Sequence, residues 1–403
     1  MLSARYFALL AGVGFFLAIL GKTLSDAEVL GPKETVRKAV FDATYWPDVP
    51  NVPKNRTQIG TEKGCIYMLV RNMELHEALE SIRKIEDRFN RRYRYPWIFL
   101  NDDEFTDEFK LLTAGMVSGD AKYGFIEPEV WNVPDHINKT KMDECIEQMI
   151  QDDVIYGFSR PYRNMCRFNS GNFFWHPLML PYDYYWRVEP GIDFYCDQRY
   201  DPFTFMRLND KVYGFVITFT EFSNTIPSLF RTLLGFLKEN PQHLAPNNGL
   251  DFVQDHEPTF PWLSQDDMDR DNIDGYNLCH FWSNFEIGSL KFFRSEAYTS
   301  YFQYLDKSGG FYYERWGDAP VHTLGVLSLA NKSQIHHFSD MGYYHPPYYR
   351  CPFDDASYSS GRCLCPEVDD SIDFKDWSCL PKWWKHAGKE VLFNMDPNAA
   401  LYD

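Results

Sequence analysis

CIYMLVRNMELHEALESIRKIEDRFNRRYRYPWIFLNDD, residues 65–103, decides the fold class. CIYMLV (65–70) is a short apolar run between Gly64 and Arg71, the pattern of a strand buried on both faces. Leu75, Leu79, Ile82, Ile85 and Phe89 then recur at helical spacing with charges between them. PWIFL (96–100) is a second buried strand that ends at Asn101-Asp102-Asp103. Thr106 stands where it can cap a further helix, with Asp107 and Glu108 in the first turn, where negative charge suits the helix dipole. Strand, helix, strand, helix at this spacing opens an α/β sheet of the nucleotide-binding kind. Neither G-x-G-x-x-G nor G-x4-G-K-[ST] accompanies it, which excludes a dinucleotide fingerprint and a P-loop.

Downstream, the pattern predicts a helix around 141–153, strands near 184–196 and 212–220, and a helix over 226–239. A strand near 281–290 and a helix near 295–305 follow, with no internal repeat, so residues 61–403 are expected to form one domain. The 17% aromatic fraction of the 403 residues is enough to build a substantial core. A formal charge of -17, without a Lys/Arg cluster interleaved with aromatics, excludes nucleic acid as a partner and leaves small molecules or sugars.

Ahead of this domain, Arg5 precedes an apolar run from Tyr6 to Leu20 that Lys22 ends. A cleaved signal peptide has the same look, but no A-x-A site follows. The expectation is therefore a cytoplasmic tail (1–5), a signal-anchor helix (6–24) and a proline-punctuated stem (25–60), with the rest of the chain in the lumen. All nine cysteines lie beyond the apolar run, and an odd number leaves at least one unpaired. Cys351, Cys363, Cys365 and Cys379 read as disulfides stapling a loop-rich C-terminal tail rather than as a zinc site, because the C-x2-C pairs of structural zinc are missing.

Four stretches place a carboxylate or imidazole among aromatics: RVEPG (187–191), WSNFEIG (282–288), RWGDAPVH (315–322) and GYYHPP (342–347). Glu189 falls at a strand end, where α/β sheets bind ligands, and Arg187 lies two residues away on the same face. The two are either an ion pair closing a hairpin or a working site. Burial raises the pKa of Glu286 unless a cation or hydrogen bonds hold it ionised. Asp318 either orients a hydroxyl or serves as a turn or cap residue. His345, before two prolines, suits a metal ligand and equally a packed loop. Asp102-Asp103 is a further candidate acidic pair for a metal. QDDMDRDNID (265–274) fails as an EF-hand, with Asn272 where glycine is needed and Leu278 where the bidentate Glu belongs.

Together YYWRVEPGIDFYCD (184–197), NLCHFWSNFEIGSLKFFRS (277–295), FYYERWGDAPVH (311–322) and GYYHPP resemble the signatures of the fungal Golgi α-1,2-mannosyltransferases of the Kre2/Mnt1 (KTR) type, glycosyltransferase family 15. MLVRN (68–72), YPWIFLND (95–102) and YRNMCRFNSG (162–171) match in the same order. The resemblance implies a type II Golgi membrane protein with a GT-A fold: one Rossmann-like domain with a mixed central sheet flanked by helices. It implies GDP-mannose as donor, Mn2+ as cofactor, retention of anomeric configuration, and transfer to the 2-hydroxyl of mannose on O- or N-linked glycans. It gives Glu286 the nucleophile's part, His345 the metal, and Glu189, in the EP motif, a place near metal and donor with Arg187 beside it. Asp318 matches an active-site acid, Tyr162 a tyrosine near donor and acceptor, Arg71 the nucleotide end, and Glu221 a further acid. Mannosylphosphate transfer from the same donor, and glycan binding without turnover, are the alternatives.

Overall fold

The computed structural model describes residues 62–257, 274–352, 355–366 and 370–387. The expected tail, anchor and stem (1–60), the acidic stretch over 265–273 and the last residues of the chain lie outside the described residues. In chain order the main elements are β1 (Gly64–Leu69), α1 (Leu75–Ile85), β2 (Trp97–Asn101), α2 (Asp107–Met116), β3 (Ala121–Phe125), α3 (Lys139–Gln151) and α4 (Arg160–Gly171). They continue with β4 (Tyr184–Arg187), β5 (Asp193–Phe194), β6 (Tyr213–Phe215), β7 (Thr218–Thr220), α5 (Leu229–Glu239), β8 (Cys279–Phe281) and β9 (Glu286–Ser289). The last are α6 (Glu296–Ser308), α7 (Asp318–Leu329), β10 (Ile335–His337), β11 (Tyr343–His345) and β12 (Tyr348–Arg350).

Seven strands form the central sheet in the order β10-β6-β9-β4-β1-β2-β3. β1 pairs in parallel with β2 and β4, and β2 with β3, as the opening βαβ pattern predicts. Both faces of β1 are buried: Ile66 and Met68 join the core that Ile82, Ile85 and Trp97 build with α1, whereas Tyr67 stacks on Phe173 and donates to Asn169 of α4 at 3.0 Å. Helices therefore cover both faces. Thr106 caps α2 as expected, accepting from the Phe109 amide at 3.1 Å.

β9 runs antiparallel between β4 and β6. Its direction has a consequence for the site. The parallel strands reach the carboxyl edge of the sheet with their last residues, whereas β9 reaches the same edge with its first, so that Glu286 pairs in register with Arg187.

The expected long strands are shorter than alternation suggested. Over 184–196 the ladder stops at Arg187, because Pro190 has no amide to donate and Gly191 turns the chain at φ 79°. β5 then belongs to a separate three-stranded sheet with β11 and β12. The stretch 212–220 divides between the central sheet (β6) and a two-stranded one (β7 with β8), and a turn separates β8 from β9. Two helices are additions. α7 is buried on every side from Asp318 to Ser328 and carries no amphipathic stripe, whereas α4 buries a face at helical spacing that is largely polar, including Arg163, Cys166, Arg167 and Ser170, so no apolar stripe betrays it.

Disulfides join Cys196 to Cys363, Cys279 to Cys379 and Cys351 to Cys365. Only the last closes within the tail. The other two fasten the tail to the body of the domain, so the expected disulfides staple it both to itself and to the rest of the fold. All four tail cysteines are consumed, while Cys65, Cys145 and Cys166 are free thiols.

Candidate active site

A cleft of about 420 Å³ opens where β1, β2 and β4 end. Its wall includes Arg71, Asp102, Tyr162, Arg187 and Glu189, so residues from three strand ends and from α4 converge there. This is the carboxyl edge at which open α/β sheets bind ligands.

Arg187 is the centre of the site. Its guanidinium, 4% exposed, donates from Nη2 to Glu189 Oε1 and from Nη1 to Asp318 Oδ2, both at 2.5 Å, and lies 4.0 Å from Glu286 Oε1. One buried cation thus faces three carboxylates contributed by the β4 end, α7 and β9. Asp318 begins α7 directly after its Gly317 cap, a position where the helix dipole favours an acid, and also accepts from Ser283 Oγ at 2.7 Å. Burial pushes the Asp318 carboxyl up, but the charge of Arg187, then His322, and the hydrogen bonds outweigh it and hold it below the ordinary value. Burial likewise opposes ionisation of Glu189, and Arg187 and His345 overcome it, bringing the group down to about 2. The opening question over Arg187 and Glu189 therefore has a double answer: they are an ion pair, and that pair is part of the cleft wall.

Glu286 is fully buried and does not line the cleft. Its carboxylate accepts from Tyr185 and Tyr213 hydroxyls, each at 2.9 Å, and sits 2.7 Å from His322 Nδ1. Burial, followed by the Glu286 charge, raises the pKa of both tyrosines, so they remain donors. His322 Nε2 faces the Asn169 carbonyl at 3.0 Å. A carbonyl only accepts, so Nε2 carries a hydrogen, and one further proton is shared between Nδ1 and Glu286. His322 stands four residues after Asp318, on the same helix face. Neither it nor the two tyrosines were singled out from the sequence. The i, i+4 spacing in DAPVH was the available signal, and it is visible only once a helix is known to start at Asp318.

His345, at the end of β11, places Nε2 3.2 Å from Glu189 Oε2, while Nδ1 is 3.0 Å from the Pro346 carbonyl. Both ring nitrogens thus face acceptors. The Nδ1 hydrogen belongs to the carbonyl, and the Nε2 contact with a carboxylate demands a proton or a metal ion between them. The donor set, one imidazole and one ionised carboxylate beside a surplus of negative charge, fits a divalent cation. No group of three or more His, Cys, Asp or Glu that could hold a metal occurs among the described residues. Asp102 lines the cleft, but Asp103 is exposed and accepts from the Glu104 amide.

The remaining predicted residues form two further groups, each with a member in the cleft wall. Tyr162 stacks on Tyr156 at 4.7 Å, and its hydroxyl accepts from Arg315 Nη1 at 3.1 Å. Arg315 Nη2 lies 3.6 Å from Glu221, linking these two candidates through a residue that the sequence reading did not assign a role. Arg71 stands at the rim, its guanidinium bidentate on Glu74 at 2.8 and 3.2 Å.

A mixed sheet with helices on both faces and a cleft at its carboxyl edge is the GT-A class of glycosyltransferase fold. A family profile described as glycolipid 2-alpha-mannosyltransferase matches residues 33–388, and the chain belongs to that family. It is 49% identical over 369 residues to the O-glycoside alpha-1,2-mannosyltransferase homolog 3 of Schizosaccharomyces pombe, covering 88% of this chain and 91% of that one. The X-ray structure of the mannosyltransferase Ktr4p from S. cerevisiae in complex with GDP superposes with a TM-score of 0.81 at 38% identity, over 92% of this chain and 93% of that one. Core-mannan synthase A from Aspergillus fumigatus, in an Mn/GDP form, gives 0.76 at 36% identity over 87% and 94%.

Proposed function

We infer that this chain is a retaining α-1,2-mannosyltransferase that moves mannose from GDP-mannose to the 2-hydroxyl of a mannose on an O- or N-linked glycan. The observation that carries the reading is the buried guanidinium of Arg187, which stands with Glu189 in the wall of a nucleotide-sized cleft and is shared by three carboxylates. The GDP of the similar Ktr4p and the Mn/GDP of core-mannan synthase A support GDP-mannose as donor and Mn2+ as cofactor.

Glu189 and His345 are the residues to hold the ion. When bound, Mn2+ supplies positive charge to the leaving diphosphate. Arg187 keeps Glu189 ionised and fixes its direction. Arg71 and Asp102 border the cleft at the ends of β1 and β2, the nucleotide end. As the sugar becomes oxocarbenium-like, negative charge beneath it lowers the barrier. Glu286 supplies that charge from behind Arg187. With both oxygens engaged and no exposed surface, its carboxylate stabilises charge without further movement, whereas direct attack requires it to leave those partners and reach the cleft. Same-face substitution, in which the departing diphosphate takes the proton of the acceptor hydroxyl, accords with that burial. Tyr162, held by Arg315, is placed to meet donor and acceptor.

The full-length chain in detergent, given Mn2+, GDP-mannose and methyl α-mannoside, is expected to form an α-1,2-linked disaccharide free of phosphorus. A phosphorylated product points to mannosylphosphate transfer, and no product across metals and acceptors sinks the reading. The anchoring in a membrane with the catalytic domain luminal rests on the Tyr6–Leu20 run and Arg5, and the Golgi as that membrane rests on the family resemblance.

A further inference from the structure

A second surface begins where the cleft ends at Glu189. His345, which is not part of the cleft wall, touches Glu189, and its ring lies 4.8 Å from that of Trp282. Trp282 meets Tyr348 at 5.7 Å, and Tyr348 meets Trp377 at 6.4 Å. Phe219 packs beneath, 5.2 Å from Trp282 and 5.5 Å from Tyr348. The rings are not closed off as core aromatics are: Trp377 is 43% exposed, and Trp282 and Tyr348 are partly so.

Trp377 is held in place despite belonging to the tail. Its carbonyl accepts from the Thr220 amide at 3.0 Å, the next residue, Ser378, bridges Phe219, and Cys379 is tied to Cys279 at the start of β8. A β-bridge and a disulfide thus fix the backbone of an exposed indole beside the strand that leads into Glu221. An interior ring needs no such arrangement, because burial alone positions it.

We propose that Trp282, Tyr348 and Trp377 form the subsite that binds the α-mannoside chain of the acceptor, an inference that rests on the transferase reading above. A pyranose offers C–H faces to the electron-rich faces of aromatic rings, and its rim hydroxyls seek acids such as Glu221. Position selects the acceptor over the donor. The nucleotide takes the cleft on one side of Glu189, so the incoming hydroxyl approaches from the other, and this aromatic track runs from there through His345. The disulfide Cys279–Cys379 then has a functional part, holding the outermost ring of the track at the distance of a second or third sugar.

The test uses the full-length chain with GDP-mannose, Mn2+ and α-1,2-mannobiose as acceptor. Trp377→Ala is expected to raise the acceptor KM about fivefold to tenfold, the loss of one ring contact. The KM for GDP-mannose and the rate of GDP-mannose hydrolysis without acceptor are expected to stay within about twofold. Trp377→Phe is expected to recover most of the acceptor affinity. An unchanged acceptor KM, or an equal rise in the donor KM, overturns the proposal. Hydroxyl-radical footprinting of the unmutated chain is independent of how the variant folds: mannobiose is expected to protect Trp377 where GDP alone does not, and equal oxidation overturns the proposal. Absence of transfer by the unmutated chain counts against the transferase reading, whereas the footprint reports glycan binding without turnover.

Discussion

Arg187 shows how one side chain sets the chemistry of several others. A guanidinium taken out of water is tolerated because three carboxylates compensate it, and each carboxylate in turn depends on it. Replacing it by an apolar residue, as in Arg187→Leu, leaves buried acids uncompensated. The expected cost is about 3–5 kcal/mol in chemical denaturation, with loss of transfer. Glu286→Gln is a gentler change, removing one charge while keeping the shape. It is expected to lower turnover by about 10²–10³-fold with GDP affinity unchanged by calorimetry, since Glu286 does not touch the cleft. Retained turnover in that variant removes Glu286 from the chemistry, whereas the glycan-binding alternative predicts no turnover even in the unmutated chain. Arg187 and Glu189 were legible in the sequence because charges interrupting an aromatic strand stand out. His322 was not, because a lone histidine in an apolar run is indistinguishable from a core histidine until its partner across the sheet is known.

At the scale of elements, direction and burial matter more than period. The opening βαβ unit could be read because its strands are apolar throughout and its helix amphipathic. The split of 212–220 between two sheets could not, since alternation looks the same whichever sheet a strand joins. α7, buried on all sides, likewise lacks the signal that periodicity supplies, and the face that α4 buries is periodic but largely polar. β8 and β10 each place a histidine inside: His280 and His337, both 2% exposed, have pKa values pushed down by burial. The hydrogen on His337 Nε2 goes to the Val216 carbonyl at 3.1 Å. A histidine kept neutral in the fold binds a proton more readily once unfolded. Its contribution to stability is full above the ordinary value of about 6.5 and is lost as pH falls below it. Unfolding free energies measured between pH 7 and 5 are expected to fall by up to about 1.4 kcal/mol per pH unit per histidine. His337→Gln is expected to flatten that dependence.

For the whole molecule, the tail is an integral wall of the domain rather than an appendage. Cys279 and Cys379 close a separation of 100 residues, and their joint replacement by serine is expected to cost about 2–5 kcal/mol in the unfolding free energy. At the other end, the apolar run before the stem makes a separate prediction. The full chain is expected to resist carbonate extraction from membranes, and its catalytic domain to be protected from added protease until the membrane is opened.

The cross-links also bear on the order in which synthesis must proceed. Cys196 leaves the ribosome 167 residues ahead of its partner Cys363, and Cys279 is 100 ahead of Cys379. Throughout that interval the thiols of Cys65, Cys145 and Cys166 are also present in the emerging chain. Cys65 and Cys166 are wholly buried in the finished fold, one in the first strand and the other in α4. β1, packed between β2 and β4, withdraws Cys65 early, and α7, which lies against Cys166 and is made before Cys363 and Cys379, withdraws the second thiol, so the order of synthesis favours the correct cross-links.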